Sequence, residues 1–237
     1  MNNPNLQQIP ARDPELGPMI RSLFLPNEGE QWAAIDFSQQ EPRILVHYAA
    51  VYNEWKGGGM EGVDEFVKGY ANNPDMDFHS MVAEMADIPR KQAKLINLAM
   101  MYGMGKNKLA AQMDISVSEA GDLMQQYHAR VPFVKQLQQG VMRRLGHPRS
   151  NGSVRSLMGR KCRFDKWEPS SFGIHKAMSR EEALVTYGTT TQLTRSFLFK
   201  SLNRLIQSSA ADQTKAAMLK IYESGVVPLL QIHDELA

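Results

Sequence analysis

A single cysteine, Cys162, in 237 residues excludes an intrachain disulfide and fits a reducing compartment. Zinc-ligand spacing is also missing. The six histidines, at 47, 79, 128, 147, 175 and 233, stand far apart, and one cysteine cannot complete a structural site. No apolar run approaches membrane-spanning length, and Met1-Asn2-Asn3-Pro4-Asn5-Leu6-Gln7 has no apolar signal core. These absences point to a soluble protein of the cytoplasm (a host's, if the gene is viral). Gly57-Gly58-Gly59 lacks the Gly-x-x-x-x-Gly-Lys pattern and the helix that should follow it, so it reads as a surface loop and not a phosphate cradle. Neither an internal repeat nor a low-complexity linker is present.

With 43% hydrophobic residues, the chain can bury a substantial core as one large domain or two subdomains. Fifteen methionines read as core filler. The net charge of +2 separates no function classes, but its distribution is informative. From Arg143 to Lys166 there are eight Lys or Arg against one Asp.

The pattern predicts helix-rich α+β structure. Irregular chain fills the first thirty residues. A strand over about 31–37 should run into a helix near 38–50, capped by Asp36 or Ser38. Short helices are expected at 62–72 and 78–86, then a strong one from Pro89 to Met104, with proline suiting the first turn. Ser116-Val117-Ser118-Glu119 is a capping box opening a helical stretch broken near Pro132 and resumed to about 145. Gly152 to Phe164 alternates as a hairpin does, with Gly159 at the turn. Ser179-Arg180-Glu181-Glu182 is a second capping box, after which helix is expected to about 224 with a break near Gln207-Ser208-Ser209. A final strand runs from Val226 to Ile232.

Two of these expected strands end in aspartate. Asp36 closes Trp32-Ala33-Ala34-Ile35, and Asp234 follows the final strand within His233-Asp234-Glu235. Alone, the first reads more readily as a helix N-cap than as a metal ligand. Between them, Arg90, Lys94, Leu98 and Tyr102 recur every four residues, with Gly103 behind. Such residues fall near one helix face and span about 18 Å. That face is cationic at one end and apolar at the other, the polarity of a nucleoside triphosphate. Converging carboxylates can hold two Mg²⁺ ions roughly 3.5–4 Å apart, one at the attacking hydroxyl and one at the leaving pyrophosphate.

In this order, the segments resemble family A DNA polymerases. Asp36-Phe37-Ser38-Gln39-Gln40-Glu41-Pro42-Arg43 is similar to motif A, Arg90-x3-Lys94-x7-Tyr102-Gly103 to motif B, and Gln231-Ile232-His233-Asp234-Glu235 to motif C. Pro4 to Pro10, Asp77-Phe78-His79, Gly152 to Lys161 and Asn203-Arg204-Leu205-Ile206-Gln207 resemble further segments of the family, so that the likeness covers essentially the whole chain. It implies a right-hand polymerase architecture: an antiparallel palm sheet and helical fingers. Residues 1–50 would be palm with motif A, and 51–150 fingers with motif B on the helix at about 89–104. Residues 151–237 would hold the basic hairpin, the remaining fingers and the return to the palm with motif C.

The resemblance implies template-directed transfer of dNTPs onto a primer 3′-OH, with two Mg²⁺ ions as cofactor and primer-template DNA as partner. Asp36, Asp234 and the carbonyl of Phe37 would hold metal, with Glu235 a weaker contributor. Arg90, Lys94 and His79 would hold the phosphates, and Lys94 would protonate the pyrophosphate. Leu98 would meet the sugar, Tyr102 would close over the templating pair, and Glu41 would exclude a ribose 2′-OH. Gln39, Asn5, Gln7, Arg155, Arg160, Lys161, Asn203 and Gln207 would contact nucleic acid or nucleotide, and His233 would approach the primer terminus. Leu98 stands where the family usually has an aromatic ring, which predicts altered 3′-OH discrimination. The stretch reads as a partial palm-and-fingers sequence, cut at both ends, that alone extends primers poorly or not at all. The expected rivals are a single-subunit phage-type RNA polymerase, which Glu41 and Glu235 oppose, and a non-catalytic DNA-binding remnant, which the intact aspartates oppose.

Overall fold

The computed structural model describes residues 13–237, and Asn5 and Gln7 lie outside them. In chain order the helices are α1 (Leu16–Arg21), α2 (Gln40–Lys56), α3 (Val63–Asn72), α4 (Phe78–Ala86), α5 (Arg90–Met101), α6 (Lys106–Met113), α7 (Val117–Arg130) and α8 (Pro132–Gly146). Three short strands follow, β1 (Ser153–Arg155), β2 (Lys161–Arg163) and β3 (Trp167–Pro169), then α9 (Arg180–Tyr187) and β4 (Leu193–Arg195). The chain ends with α10 (Ser201–Glu223), β5 (Gln231–Ile232) and β6 (Glu235–Leu236). The fold is helix-rich α+β with small antiparallel sheets, as the sequence pattern led us to expect. No helix among the described residues is long and apolar enough to cross a membrane.

Two compact units emerge among the described residues, 13–40 with Gln213–Ala237 and Glu41–Asp212. The second unit has a continuous apolar core. Its centre is Phe66 of α3, whose ring lies 4.9 Å from Phe78 of α4 and 5.2 Å from Phe133 of α8. Leu45, Ile96, Tyr127 and Leu202 bring the other long helices to the same cluster. Local chemistry sets the boundaries. Ser116 and Ser179 each accept from the backbone N–H three residues on, and Glu119 and Glu182 return the bond, so both capping boxes form as expected. Pro132 stops α7 at Arg130 and opens α8. β1 and β2 pair antiparallel, with Arg155 opposite Lys161 and Gly159 at φ 84° in the turn.

Several expectations are corrected. Trp32 to Phe37 is not a strand, because Ile35 alone finds a partner, exchanging both backbone hydrogen bonds with Leu236 at 2.8 Å. Only Gln231–Ile232 of the final apolar run is strand, and it has a hairpin partner in Glu235–Leu236. Helix α2 starts two residues later than expected and runs on to Lys56. The helical pattern after Ser179 is interrupted by β4, which pairs with β3 through Trp167 and Arg195. No break occurs at Gln207-Ser208-Ser209: the Ser209 hydroxyl donates to the Leu205 carbonyl one turn back and stays inside α10.

Candidate active site

In the first unit, motif C is a tight hairpin. Ile232 pairs with Glu235, leaving His233 and Asp234 as the two turn residues. His233 takes φ 57°, a conformation that histidine adopts more readily than most residues. The Gln231 side chain donates to the His233 carbonyl at 3.1 Å. The bridge from Leu236 to Ile35 then brings Asp36 alongside the same hairpin. Three carboxylates feel one another there. The Asp36 carboxyl is pushed above its ordinary range, first by partial burial of the group and then by the charges of Asp234 and Glu235, against a backbone N–H from Phe37. Asp36 as a residue remains exposed, so a solute can reach it.

Carboxylates gathered in this way favour a bound cation. Among the described residues no three His, Cys, Asp or Glu side chains form a metal cage by themselves. Mg²⁺ is commonly held by one or two carboxylates and completed by substrate phosphates, so this donor set fits such an ion. Gln39, within motif A, has φ 54°, a sparsely populated conformation for a residue with a side chain. Gln40 is buried and donates to the Thr214 hydroxyl at 3.2 Å.

In the second unit, the phosphate-binding candidates gather on α4 and α5. Asp77 caps α4, accepting from the His79 N–H at 2.9 Å and the Ser80 hydroxyl at 3.0 Å. Arg90, at the first position of α5, donates its Nε to the same carboxylate at 2.5 Å and forms an ion pair with it. Burial alone would raise the Asp77 carboxyl, but Arg90 and the two cap donors together hold it below the usual carboxylate range. Arg90 is thus oriented before any ligand arrives, while over half of its side chain stays exposed (58%).

His79 is buried, with Nδ1 2.9 Å from the Asn97 amide nitrogen. Burial lowers its pKa, Asp77 opposes that, and Lys94 and Arg90 add to the lowering, so the ring is neutral at pH 7. Donation from Asn97 to Nδ1 leaves the ring proton on Nε2. Sequence patterning does not single out Asn97. The only signal is a polar residue at a fully buried helix position, between Ile96 and Leu98.

The expected face of α5 is present. Lys94, Leu98 and Tyr102 are half-buried and Arg90 exposed, whereas Ala93, Ile96, Ala99 and Met100 point into the core. At the C-terminal end, the Tyr102 hydroxyl donates to Glu41 at 2.8 Å and also meets Gln207. Burial and the Glu41 charge push that phenol up to about 12. Three residues from distant parts of the sequence thereby meet. Gly103, at φ 64°, cannot be replaced freely, since a Cβ there would lie 2.8 Å from the Phe199 carbonyl.

The hairpin residues divide in two. Arg155 and Lys161 are exposed, and Arg155 reaches the Gly159 carbonyl at 2.9 Å. Arg160 is paired with Asp212 of α10 and donates to the Ser208 carbonyl at 3.2 Å. Ser209 adds a second tie, receiving the Leu157 N–H at 3.1 Å and meeting Tyr48 Oη at 2.7 Å. Neither Asp212 nor Ser209 stands out in the sequence. Asn203 and Gln207 lie one turn apart on the less buried side of α10.

Known proteins resemble this chain along almost its whole length. A phage protein from Pseudomonas phage M6, a DNA-directed DNA polymerase, is 34% identical over 99% of this chain and 37% of its own length. The thermostable DNA polymerase I of Thermus aquaticus is 29% identical over 99% of this chain and 25% of its own length. The chain therefore spans under two fifths of these relatives. Among solved structures, the polymerase domain of Pol1 from M. smegmatis, in complex with DNA primer-template and dNTP, superimposes with a TM-score of 0.69. It is 31% identical and the match covers 98% of this chain and 37% of that one. The family profile "DNA polymerase family A" matches residues 1–237, every motif described above included, and the chain belongs to that family.

Proposed function

We propose that this chain carries the nucleotidyl-transfer centre of a template-directed DNA polymerase, which adds dNTPs to a primer 3′-OH with two Mg²⁺ ions. The observation that carries the proposal is the Ile35–Leu236 bridge, which sets Asp36 beside Asp234 and Glu235 and leaves their charges unbalanced. Family A DNA polymerases generally use divalent metal ions. Bound at Asp36, Asp234 and the Phe37 carbonyl, they would neutralise the transferring phosphate and activate the attacking oxygen.

The chain's own residues do the rest. Arg90, already oriented by Asp77, trades part of that ion pair for a phosphate oxygen. His79 donates from Nε2 without carrying a charge, because Asn97 occupies Nδ1. Lys94, half-buried on the same helix, supplies positive charge to the leaving pyrophosphate and a proton to it. Leu98 faces the sugar. Glu41, held by Tyr102, fills the space that a ribose 2′-OH needs, which favours DNA over RNA synthesis. Breaking the Tyr102 bond frees the ring to pack on the templating pair. Gln39 and His233 would meet nucleotide and primer end, and Arg155, Lys161, Asn203 and Gln207 the duplex, with Arg160 bracing the hairpin from Asp212. Within this reading residues 1–50 are palm, 51–150 fingers, and 151–237 the hairpin and return to the palm.

The test is single-turnover primer extension with the protein in excess over a primer-template, in Mg²⁺. Slow incorporation of the matched dNTP is expected. Asp36→Asn and Asp234→Asn should each reduce it by about 10²–10³ or more, the range seen when one transition-state charge stabiliser is lost. Incorporation indifferent to both substitutions, or none by the parent, would overturn the proposal.

A further inference from the structure

A cleft of about 990 Å³ lies within the second unit, away from the α4–α5 phosphate candidates, between the C-terminal ends of α2 and α8 and the β1 strand. Its wall chemistry is unusual. Five cations line it (Lys56, Arg143, Arg144, Arg149 and Arg155), and no Asp or Glu is among its lining residues. All five are exposed, and none is ion-paired with a described residue. Four of them come from the basic run between Arg143 and Lys166, whose charge the catalytic roles do not use up.

The floor is aromatic. Tyr52 and Trp55, three residues apart on the last turns of α2, have ring centroids 5.7 Å apart at an interplanar angle of 31°. Trp55 is 71% exposed, far more than a core tryptophan. Gly140, in the middle of α8, makes the arrangement possible, since a Cβ there would lie 2.4 Å from the Tyr52 ring. Glycine inside a helix is less favourable than alanine, so this site gives up helix stability to seat the ring.

An exposed tryptophan face and cations without an ion-pair partner are the two components of single-strand binding: bases stack and phosphates find positive charge. We propose that this cleft binds single-stranded DNA, with a base stacked on Trp55 and the backbone following Arg143, Arg144 and Arg149. An acidic peptide would satisfy the cations but not use the ring. That the bound strand is the unpaired template ahead of the primer rests on the polymerase reading; the affinity for a single strand does not.

Fluorescence anisotropy of a short labelled oligo(dT), with no dNTP, primer or divalent ion, tests the site on the whole chain. Trp55→Ala should weaken binding roughly tenfold with an unchanged salt slope, and Trp55→Phe should retain most of it. Arg143→Ala with Arg144→Ala should weaken binding and flatten the salt slope by about 0.7 for each phosphate no longer neutralised. Poly-glutamate should compete poorly. Unaltered binding by Trp55→Ala, or competition by poly-glutamate as strong as that by unlabelled oligo(dT), would overturn the proposal, as would no binding at all. Asp36→Asn should bind oligo(dT) normally. No primer extension by the parent with its oligo(dT) binding intact would count against the polymerase reading alone, and primer extension by a parent that does not bind oligo(dT) against this site alone.

Discussion

His79 shows how burial and partners together set a proton. In the folded chain its ring stays neutral to lower pH than in water, because burial lowers its pKa. On unfolding it titrates near its usual value of about 6.5. Between the folded and unfolded values the unfolded chain binds more protons, so stability must fall as pH drops through that window. Asp77 acts in the same direction, but only below about pH 4, because its carboxyl is held low. Urea midpoints between about pH 7 and about pH 5 should therefore decline less for His79→Gln than for the parent, with a slope difference below about 1.4 kcal/mol per pH unit. An unchanged slope would mean that the ring is freely solvated. His128, lowered by burial as well, keeps the variant from becoming pH-independent. Leu98 allows a second check at this scale. It is half-buried against the core cluster, so Leu98→Tyr has room to keep its ring toward solvent. Dideoxynucleotide incorporation by that variant should change several-fold relative to the parent, a difference of about 1 kcal/mol between the two transition states. The order of motif residues makes Asp36, Arg90 and Glu41 legible in the sequence. Asn97 is not, because a buried amide is recognised by its partner, and spacing does not reveal partners.

Elements are legible where their ends carry local chemistry. Both capping boxes, Pro132 and Gly159 act within a few residues of themselves, and the helices and hairpin they bound appear where expected. Strands are less legible, because a strand exists only through its partner. Trp32 to Ile35 has the composition of a strand but one paired residue, whereas β3 and β4 are three-residue strands formed only because Trp167 meets Arg195 across a long gap in sequence. Ser208 and Ser209 resemble a helix break because serine competes for backbone bonds. In α10 their hydroxyls instead donate back to the Leu205 carbonyl. The end of α5 gives the sharpest prediction at this level. Gly103 closes the helix in a left-handed conformation, with the Phe199 carbonyl where a side chain would go. Gly103→Ala incurs strain and a steric shift at once, and should lose about 1–3 kcal/mol in chemical denaturation. Loss below about 0.5 kcal/mol would show that the Phe199 carbonyl yields easily.

For the molecule as a whole, near-neutrality makes the local charges at motifs A and C stand out. With 27 basic and 25 acidic side chains, the protein has little net field to draw Mg²⁺ non-specifically, whereas Asp36, Asp234 and Glu235 form a local excess of negative charge. A divalent ion bound there should stabilise the folded chain, by RT ln(1 + [L]/Kd), or about 2.7 kcal/mol at a hundredfold excess over Kd. For a chain of this size, each kcal/mol moves Tm by about 2–4 °C. Removing one carboxylate relieves repulsion and removes a ligand together. Asp36→Asn should therefore melt higher than the parent in metal-free buffer, yet respond little to Mg²⁺, so that the two melting curves converge or cross as the ion is added. NaCl at matched ionic strength separates binding from screening. Because Asp36 and Asp234 share one compact unit while the large apolar core occupies the other, any resolution of melting into two steps adds a condition: only the step belonging to the aspartates' unit should move with Mg²⁺. Equal Mg²⁺ stabilisation of the parent and Asp36→Asn would place the ion elsewhere.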